Sequence, residues 1–461
     1  MTDSPSNTII VMSDEHRPDA LGCAGHQHVE TPNLDALASS GVRFANAYCP
    51  SPLCAPGRAS FVTGRYVHEI GAWDNAASYD GSDPTWGDHF DREGIHTASV
   101  GKLDFQPGVE GFAEQLEPGY RSSPDVNGLE REPPNVRENA RERIVGKPSN
   151  GPSAGEAADI RRTDRAIEWL EDRGDEDGWI LYLNLTNPHF PLVSQYYDRY
   201  ADVDVLPIDY PAGDDHPIVE ELREHFDGRD IDEETLMDTQ RAYFGLCTSV
   251  DEQVGRIVET LDRLGLRDDT LLAYTSDHGE PLGDHETWWK CNMYDPSVGI
   301  PLILDAPGVE GDRVDAPVSL LDLVPTIADA LGVEHADDWR GVSQWSVMTG
   351  DRAPDEHRAV FSEYHAHGTS RGMFMLRDGQ YKYVYYPDHP DQLFDMESDP
   401  DELTNLADED AYRPVVDRLR QRLRERVSPD PDTVDRRARK DQRRRRELPV
   451  DEWWGVADVE T

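Results

Sequence analysis

Four short apolar runs, each broken off by polar, charged or imidazole groups, constrain this chain most. "NTIIVMSDEH" stops at Asp14 and Glu15, "HTASVGKLDF" at Lys102 and Asp104, "GWILYLNLTNPHFP" at Asn187 and His189, and "DTLLAYTSDHGE" at Asp277 and His278. Near-continuous apolar runs of this length suit strands of a sheet covered on both faces. Helical spacing of apolar residues in "DIRRTDRAIEWLEDR" and "QRAYFGLCTSVDEQVGRIVETLDRLG" supplies the covers. The alternation predicts an α/β fold: an α/β/α sandwich around a mostly parallel mixed sheet. Ligands of such sheets bind beyond the carboxyl ends of the strands, so the four polar endings point at one shared site. One such ending alone would carry nothing, because strand-to-loop junctions are usually polar.

A chain of 461 residues has room for one large domain and a smaller one. The texture changes near residue 350. "RGMFMLRDGQYKYVYYP" and "QLFDMESDPDE" read as antiparallel hairpin strands with a turn at Asp378-Gly379. The expected division is a catalytic α/β domain over 1–350 and a small C-terminal α+β subdomain over 351–461, ending in a helix and a basic tail. Residues 105–160 and 201–235 read as long surface loops that shape the pocket.

The formal charge of −47, from 92 acidic and 45 basic residues, repels polyanions and argues against nucleic acid as a partner. Such acidity resembles a haloarchaeal protein surface, solvated for a salty cytosol. One stretch, 413–446, reverses the sign, with fourteen Arg or Lys against six Asp or Glu. It reads as a helix and tail lying on the protein's own acidic surface. The five cysteines, irregularly spaced and without a CxxC pair, suggest neither a disulfide framework nor a structural zinc site. The N-terminus lacks the basic and long apolar regions of a secretion signal, and no run reaches membrane-spanning length. A cytoplasmic protein without a membrane partner is expected, and a homo-oligomer is compatible with the sequence.

Asp14 with Glu15 and Asp277 with His278 offer hard carboxylates and an imidazole from two strand ends, a donor set for a divalent cation. Each pair alone reads as solvated surface. "PLCAPGRASFVTGR" then places Cys54 ahead of a segment able to open a helix. A helix start attracts anions, and Arg58 adds a fixed fork of donors suited to a tetrahedral oxyanion. A structural thiol, a thiolate nucleophile, a metal ligand and a modified cysteine all remain open at this stage.

"C-x-P-x-R" followed by "ASFVTGR" resembles the type I sulfatase family of the alkaline-phosphatase superfamily. "SDE", "GKLD", "NPHFP", "SDHGEPLGDHETWWK" and "YKYVYY…QLFDMESDP" follow in the family's order and span nearly the whole chain. "EIGAWDNAA" and "QLFDMESDPDE" are most similar to the choline-sulfatase and phosphonate monoester hydrolase branch. The resemblance implies a sulfuric ester hydrolase acting on a small-molecule sulfate ester. It implies that a formylglycine-generating enzyme oxidises Cys54 to 3-oxoalanine (formylglycine), whose aldehyde is hydrated at rest. One hydroxyl of the hydrate attacks sulfur; deprotonating the other expels sulfate and restores the aldehyde, so the nucleophile clears itself.

Carried over residue by residue, Asp14, Asp277, His278 and the modified Cys54 would hold one divalent metal, with Glu15 where the family has Asp or Gln. Ca²⁺ is the usual ion, and His278 adds Mn²⁺ and Zn²⁺ as candidates. Arg58 and Lys102 would neutralise the sulfuryl oxygens and the nucleophile. His189 and Lys290 would bind the ester and protonate the leaving oxygen. Asn75 would contact the sulfate. Two of the five lysines thus fall on motif positions. Asp104 stands where the family has the histidine of "GKxH", and a carboxylate could accept the same proton. Asn187 replaces an imidazole of "HPH". The same fold and metal would also serve a phosphonate monoester or phosphodiester hydrolase, and a non-catalytic anion-binding homologue is the third reading.

Overall fold

A computed structural model describes residues 4–121, 131, 136–137, 139–173, 176–208 and 216–449. Strands β1 (Asn7–Asp14), β2 (Val42–Phe44), β3 (His96–Lys102), β4 (Glu114–Gly119), β5 (Trp179–Pro188), β6 (Thr270–Ser276), β7 (Leu302–Asp305) and β8 (Asp312–Val314) form one sheet. Their order is β8–β2–β7–β6–β1–β5–β3–β4. The run from β6 to β4 is parallel throughout, whereas β7 is antiparallel to both its neighbours. The expected mostly parallel mixed sheet is therefore present, and the four apolar runs are four adjacent strands, β6, β1, β5 and β3.

The apolar runs are continuous because the sheet is covered on both sides. Ile9 and Val11 of β1 join Leu181 and Leu183 of β5 on one face. They meet Leu170 of α2 (Ala154–Arg173) and Val254 and Ile257 of α3 (Glu233–Leu264). Ile10 and Met12 point the other way, into a core with Phe61 and Val62 of α1 (Cys54–Thr63) and Ile327 of α4 (Leu323–Leu331). The period of two sends alternate side chains to opposite layers. Each fully buried aliphatic side chain contributes about 1.5–3 kcal/mol, and strand ends with no helix above them are free to be polar.

A second, four-stranded antiparallel sheet follows in chain order: β9 (Ala359–Tyr364), β10 (Met373–Asp378), β11 (Tyr381–Tyr385) and β12 (Gln392–Asp395). Its Phe361, Leu376 and Leu393 pack on Leu419 of α5 (Arg413–Arg426) and Val434 of α6 (Pro431–Arg446). The basic stretch lies on the chain's own acids: Arg418 and Arg422 both bind Asp378, and Arg420 binds Asp391.

Three local expectations shift. The β10–β11 register pairs Asp378 with Tyr381, so the connecting residues are Gly379 and Gln380, one position later than expected. Gly379 has φ of 57°, which the first central residue of a tight hairpin turn favours. The stretch 105–160 contains β4, a half-exposed edge strand whose "EQLEPG" has no apolar run to betray it. The stretch 201–235 contains a helix, Pro217–Phe226, opened by Pro217. Parts of both stretches lie outside the described residues.

Candidate active site

The carboxyl ends of β1, β3, β5 and β6 and the start of α1 meet in one place. Cys54 is the first residue of α1, whose end is set by Gly64 in the left-handed conformation. Gly57 lets this helix approach, since a Cβ there would lie 2.9 Å from the Ser51 carbonyl and 3.5 Å from that of Asp277. The Cys54 Sγ sits 3.3 Å from His278 Nε2 and 3.7 Å from Asp14 Oδ1. His278 Nε2 is 3.6 Å from Asp14 and 3.7 Å from Asp277. Donor atoms of Asp14, Cys54, Asp277 and His278 lie within 4.8 Å of one another, all buried. Two hard carboxylates and an imidazole at this spacing fit a divalent cation.

Charge explains why such a cluster holds together. Burial pushes Asp14 up, but Lys102, His189, Arg58 and His278 outweigh it and hold that carboxyl well below its usual range. Asp277 is raised, because burial and Asp14 exceed the pull of Arg58. Two acids forced together thus differ in proton affinity, and a cation relieves that repulsion. Burial lowers His278, yet Asp277 and Cys54 lift it to about 9. For Cys54 burial and Asp14 favour the thiol, while Lys102, Lys290 and His278 bring it well below the usual value.

Arg58 is 1% exposed and stands behind the cluster, not in the cavity. Its Nε donates to Asp277 at 2.8 Å, and its Nη1 donates to the Lys102 carbonyl at 2.7 Å and to Asn184 Oδ1 at 2.8 Å. Lys102 bridges forward, binding Asp14 and lying 3.4 Å from Asp104. Asp104 has φ of 58°, and its other oxygen is 3.5 Å from Arg121. Burial raises this carboxyl, but Arg121, Lys102 and Arg58 bring it below the usual value.

Glu15 turns away from the quartet and joins a second group with Asp14 and His189. Its carboxylate is 2.8 Å from Lys290 Nζ and 3.5 Å from His189 Nε2. Despite burial, His189, Lys290 and His278 hold it at about 2. Asn75 accepts a hydrogen bond from the Ala55 N–H at 3.2 Å through Oδ1. Asn187 is tied to Asp159 of α2 by its own N–H at 2.9 Å and its Nδ2 at 2.8 Å. Cys54, Asn75, Lys102, Asp104, His189 and Lys290 all line one cavity of ≈ 200 Å³.

The sequence reading missed Glu280. This buried residue accepts from the Leu282 N–H at 2.8 Å and the Trp289 N–H at 3.1 Å. It thereby clamps both ends of the loop that carries Lys290. Six non-glycine residues from Leu282 to Cys291 have positive φ, including Lys290 itself at 73°. Such conformations cost of order 1–3 kcal/mol each and persist only when surroundings over-determine them. Burial and then Glu15 push the Glu280 carboxyl well above its usual range. Its place in "SDHGE", two residues past His278, was the available signal.

The family model described as "Sulfatase" matches residues 6–333. The chain belongs to the sulfatase family. That makes it a sulfuric ester hydrolase. A second model, "N-sulphoglucosamine sulphohydrolase, C-terminal", matches residues 283–428. Choline-sulfatase of Rhizobium meliloti is 33% identical, over 88% of this chain and 83% of that protein. Arylsulfatase K of Mus musculus is 30% identical, over 91% of this chain and 78% of that protein. The phosphonate monoester hydrolase of Silicibacter pomeroyi superposes with a TM-score of 0.75 at 28% identity, covering 93% of this chain and 96% of that one. These relatives match the branch that the motifs indicated. No helix among the described residues is long and apolar enough to cross a membrane.

Proposed function

We propose that this sulfatase hydrolyses sulfate monoesters using a formylglycine made from Cys54 and one divalent metal held by Asp14, Asp277, His278 and residue 54. The observation that carries this reading is the place of Cys54. Its Sγ stands 3.3 Å from His278 and 3.7 Å from Asp14 in a cavity that Lys102 and Lys290 also line. Ca²⁺ is the proposed ion, with Mn²⁺ and Zn²⁺ to be compared because of the imidazole. The ion would polarise the sulfuryl oxygens and acidify the nucleophilic hydroxyl.

The chain's own groups do the rest. Lys102 neutralises charge that develops on the sulfuryl oxygens. Arg58 acts one layer back, orienting Asp277 through the 2.8 Å contact. Asn75, its Oδ1 occupied by Ala55, offers Nδ2 to an oxyanion. His189 and Lys290 hold the ester oxygen and supply its proton as the bond to sulfur breaks, and Glu15 between them keeps both in register. Asp104, which stands at the histidine position of the "GKxH" motif, takes the proton in the second half of turnover. The division near residue 350 belongs to this proposal, supported by the change there to the antiparallel sheet β9–β12, which packs on α5 and α6 and shares its cluster with Tyr66, Val67, Trp73 and Leu321 of the first part.

Phosphonate monoester hydrolysis is the second reading, favoured by the superposition on the Silicibacter pomeroyi enzyme. Turnover of 4-nitrophenyl sulfate, an aryl methylphosphonate and an aryl phosphodiester by the matured, metal-loaded protein separates the two. The sulfate ester is expected to have the highest kcat/KM. Turnover of the phosphonate alone would transfer the assignment to the second reading.

A further inference from the structure

The cavity has a cationic side that the proposed chemistry does not use. Besides Lys102 and Lys290, it is lined by Arg121, Arg137 and Arg143, in a chain whose formal charge is −47. Arg121 faces Asp104. Arg137 and Arg143 do something else: their guanidinium carbons lie 5.4 and 5.5 Å from the centroid of the Trp289 ring. Trp289 is itself fixed by edge and tilted contacts with Phe190 at 5.3 Å and Phe226 at 5.1 Å. It is 2% exposed, so the platform is rigid. Among the described residues, no carboxylate pairs with Arg137. Arg137 thus brings to the cavity wall a positive charge that a bound anion would offset.

The surroundings report the same sign of potential. His367, in the cavity wall, is held well below its usual pKa by burial and by His225, Arg137, Lys290 and Arg121. A quaternary ammonium would need an open aromatic face or a carboxylate. Here two guanidiniums lie over the tryptophan ring of the cavity wall, and the carboxylate of that wall, Asp104, already faces Lys102 and Arg121.

We propose that Arg137 and Arg143, held on Trp289, bind a second oxyanion on the leaving-group side of the substrate. The preferred esters are therefore dianions, in which the alcohol that leaves carries a carboxylate or another sulfate. A substrate with a quaternary ammonium, as in the name of the Rhizobium meliloti relative, is disfavoured. This inference rests on the ester-hydrolase reading of the same cavity.

Calorimetry with metal-loaded Cys54→Ala protein tests it without turnover. The probes are phenyl sulfate, 3-carboxyphenyl sulfate and 3-(trimethylammonio)phenyl sulfate, with the three matching aryl methylphosphonates. The carboxylated ligand is expected to bind about tenfold tighter than the phenyl ester, a 1.4 kcal/mol gain, and the ammonium ligand more weakly. Arg137→Gln with Arg143→Gln is expected to remove the preference. Equal binding of all three, tighter binding of the ammonium ligand, survival of the preference in the double variant, or binding of neither series would overturn the subsite. If the double variant does not fold, the ligand comparison on the intact protein decides alone. Binding of phosphonates without sulfates would remove the sulfatase reading, while the carboxylate preference within the phosphonate series would still judge the subsite.

Discussion

The floor of the cavity and its rim are built by different physics. The floor is Cys54, which lines the cavity, with Asp14, Asp277 and His278 buried beneath it, set by the ends of β1 and β6 and the first turn of α1. These elements are fixed by the central sheet and its two cores, so the donors are preorganised and buried. The rim is Arg121, Arg137 and Trp289, on irregular backbone with Trp289 in the left-handed region, together with Arg143 at the end of the short helix Ala140–Arg143. The floor gathers acids whose charges oppose one another; the rim gathers cations. In the proposed reading the difference divides the labour: the rigid acidic floor carries the reaction, and the cationic rim carries the choice of ester.

The contrast breaks first at the floor. Asp277→Asn is expected to lower kcat/KM by at least about a thousandfold, from the several kcal/mol that a bound metal supplies, and chelation should do the same to the parent protein. Elemental analysis should find the ion lost in the variant. Full activity in ion-free protein would end the metal assignment.

Between floor and rim lie His189 and Lys290. His189→Ala should cost about 10²–10⁴-fold with alkyl esters, the range for a positioned proton donor, and much less with 4-nitrophenyl sulfate, whose leaving oxygen needs no proton. A loss independent of the leaving group would assign His189 to binding alone.

Asp104→Asn should act later in turnover. A burst of released alcohol followed by a phase about tenfold slower is expected, which rapid-mixing kinetics would resolve. If both phases match the parent, Asp104 only balances Lys102 and Arg121.

The smallest effect comes from the second core. Gln442 of α6 donates to Asp74 at 2.8 Å and to the His365 carbonyl at 2.7 Å. Asp74 in turn accepts from the N–H groups of Ala76 and Ala77 and so shapes the turn beside Asn75. Gln442→Ala should cost about 1–3 kcal/mol, because it leaves a buried carboxylate short of a donor. KM should rise a few-fold with kcat nearly unchanged. Thermal unfolding and steady-state kinetics together check this, and an unchanged Tm would remove the link.

The same contrast governs what the sequence revealed. The floor was legible because a strand buried on both faces writes a continuous apolar run, and its end is where polarity returns. Cys54 was legible as a helix start through the residues that follow it. Asn75, His189 and Lys290 sit on loops without periodicity, so only the family motifs exposed them. Glu280 escaped because its partners, Glu15 and the Trp289 N–H, come together only in three dimensions. β4 escaped because an edge strand needs no apolar face. The rim arginines were hidden among 45 basic residues, nearly all arginine, whereas the five lysines were few enough for two to stand out. Arg58 was assigned to the substrate, yet its partners turn it toward Asp277, a contact no spacing could display.

The central claim is that residue 54 acts as an oxidised cysteine beside a metal. Trypsin should release residues 44–58, because Arg43 and Arg58 bound them. Mass spectrometry of that peptide from active protein of the native host measures the claim directly. The account expects a peptide in which sulfur and two hydrogens have been exchanged for one oxygen, with its abundance tracking activity. An unmodified Cys54 peptide in fully active protein would contradict it.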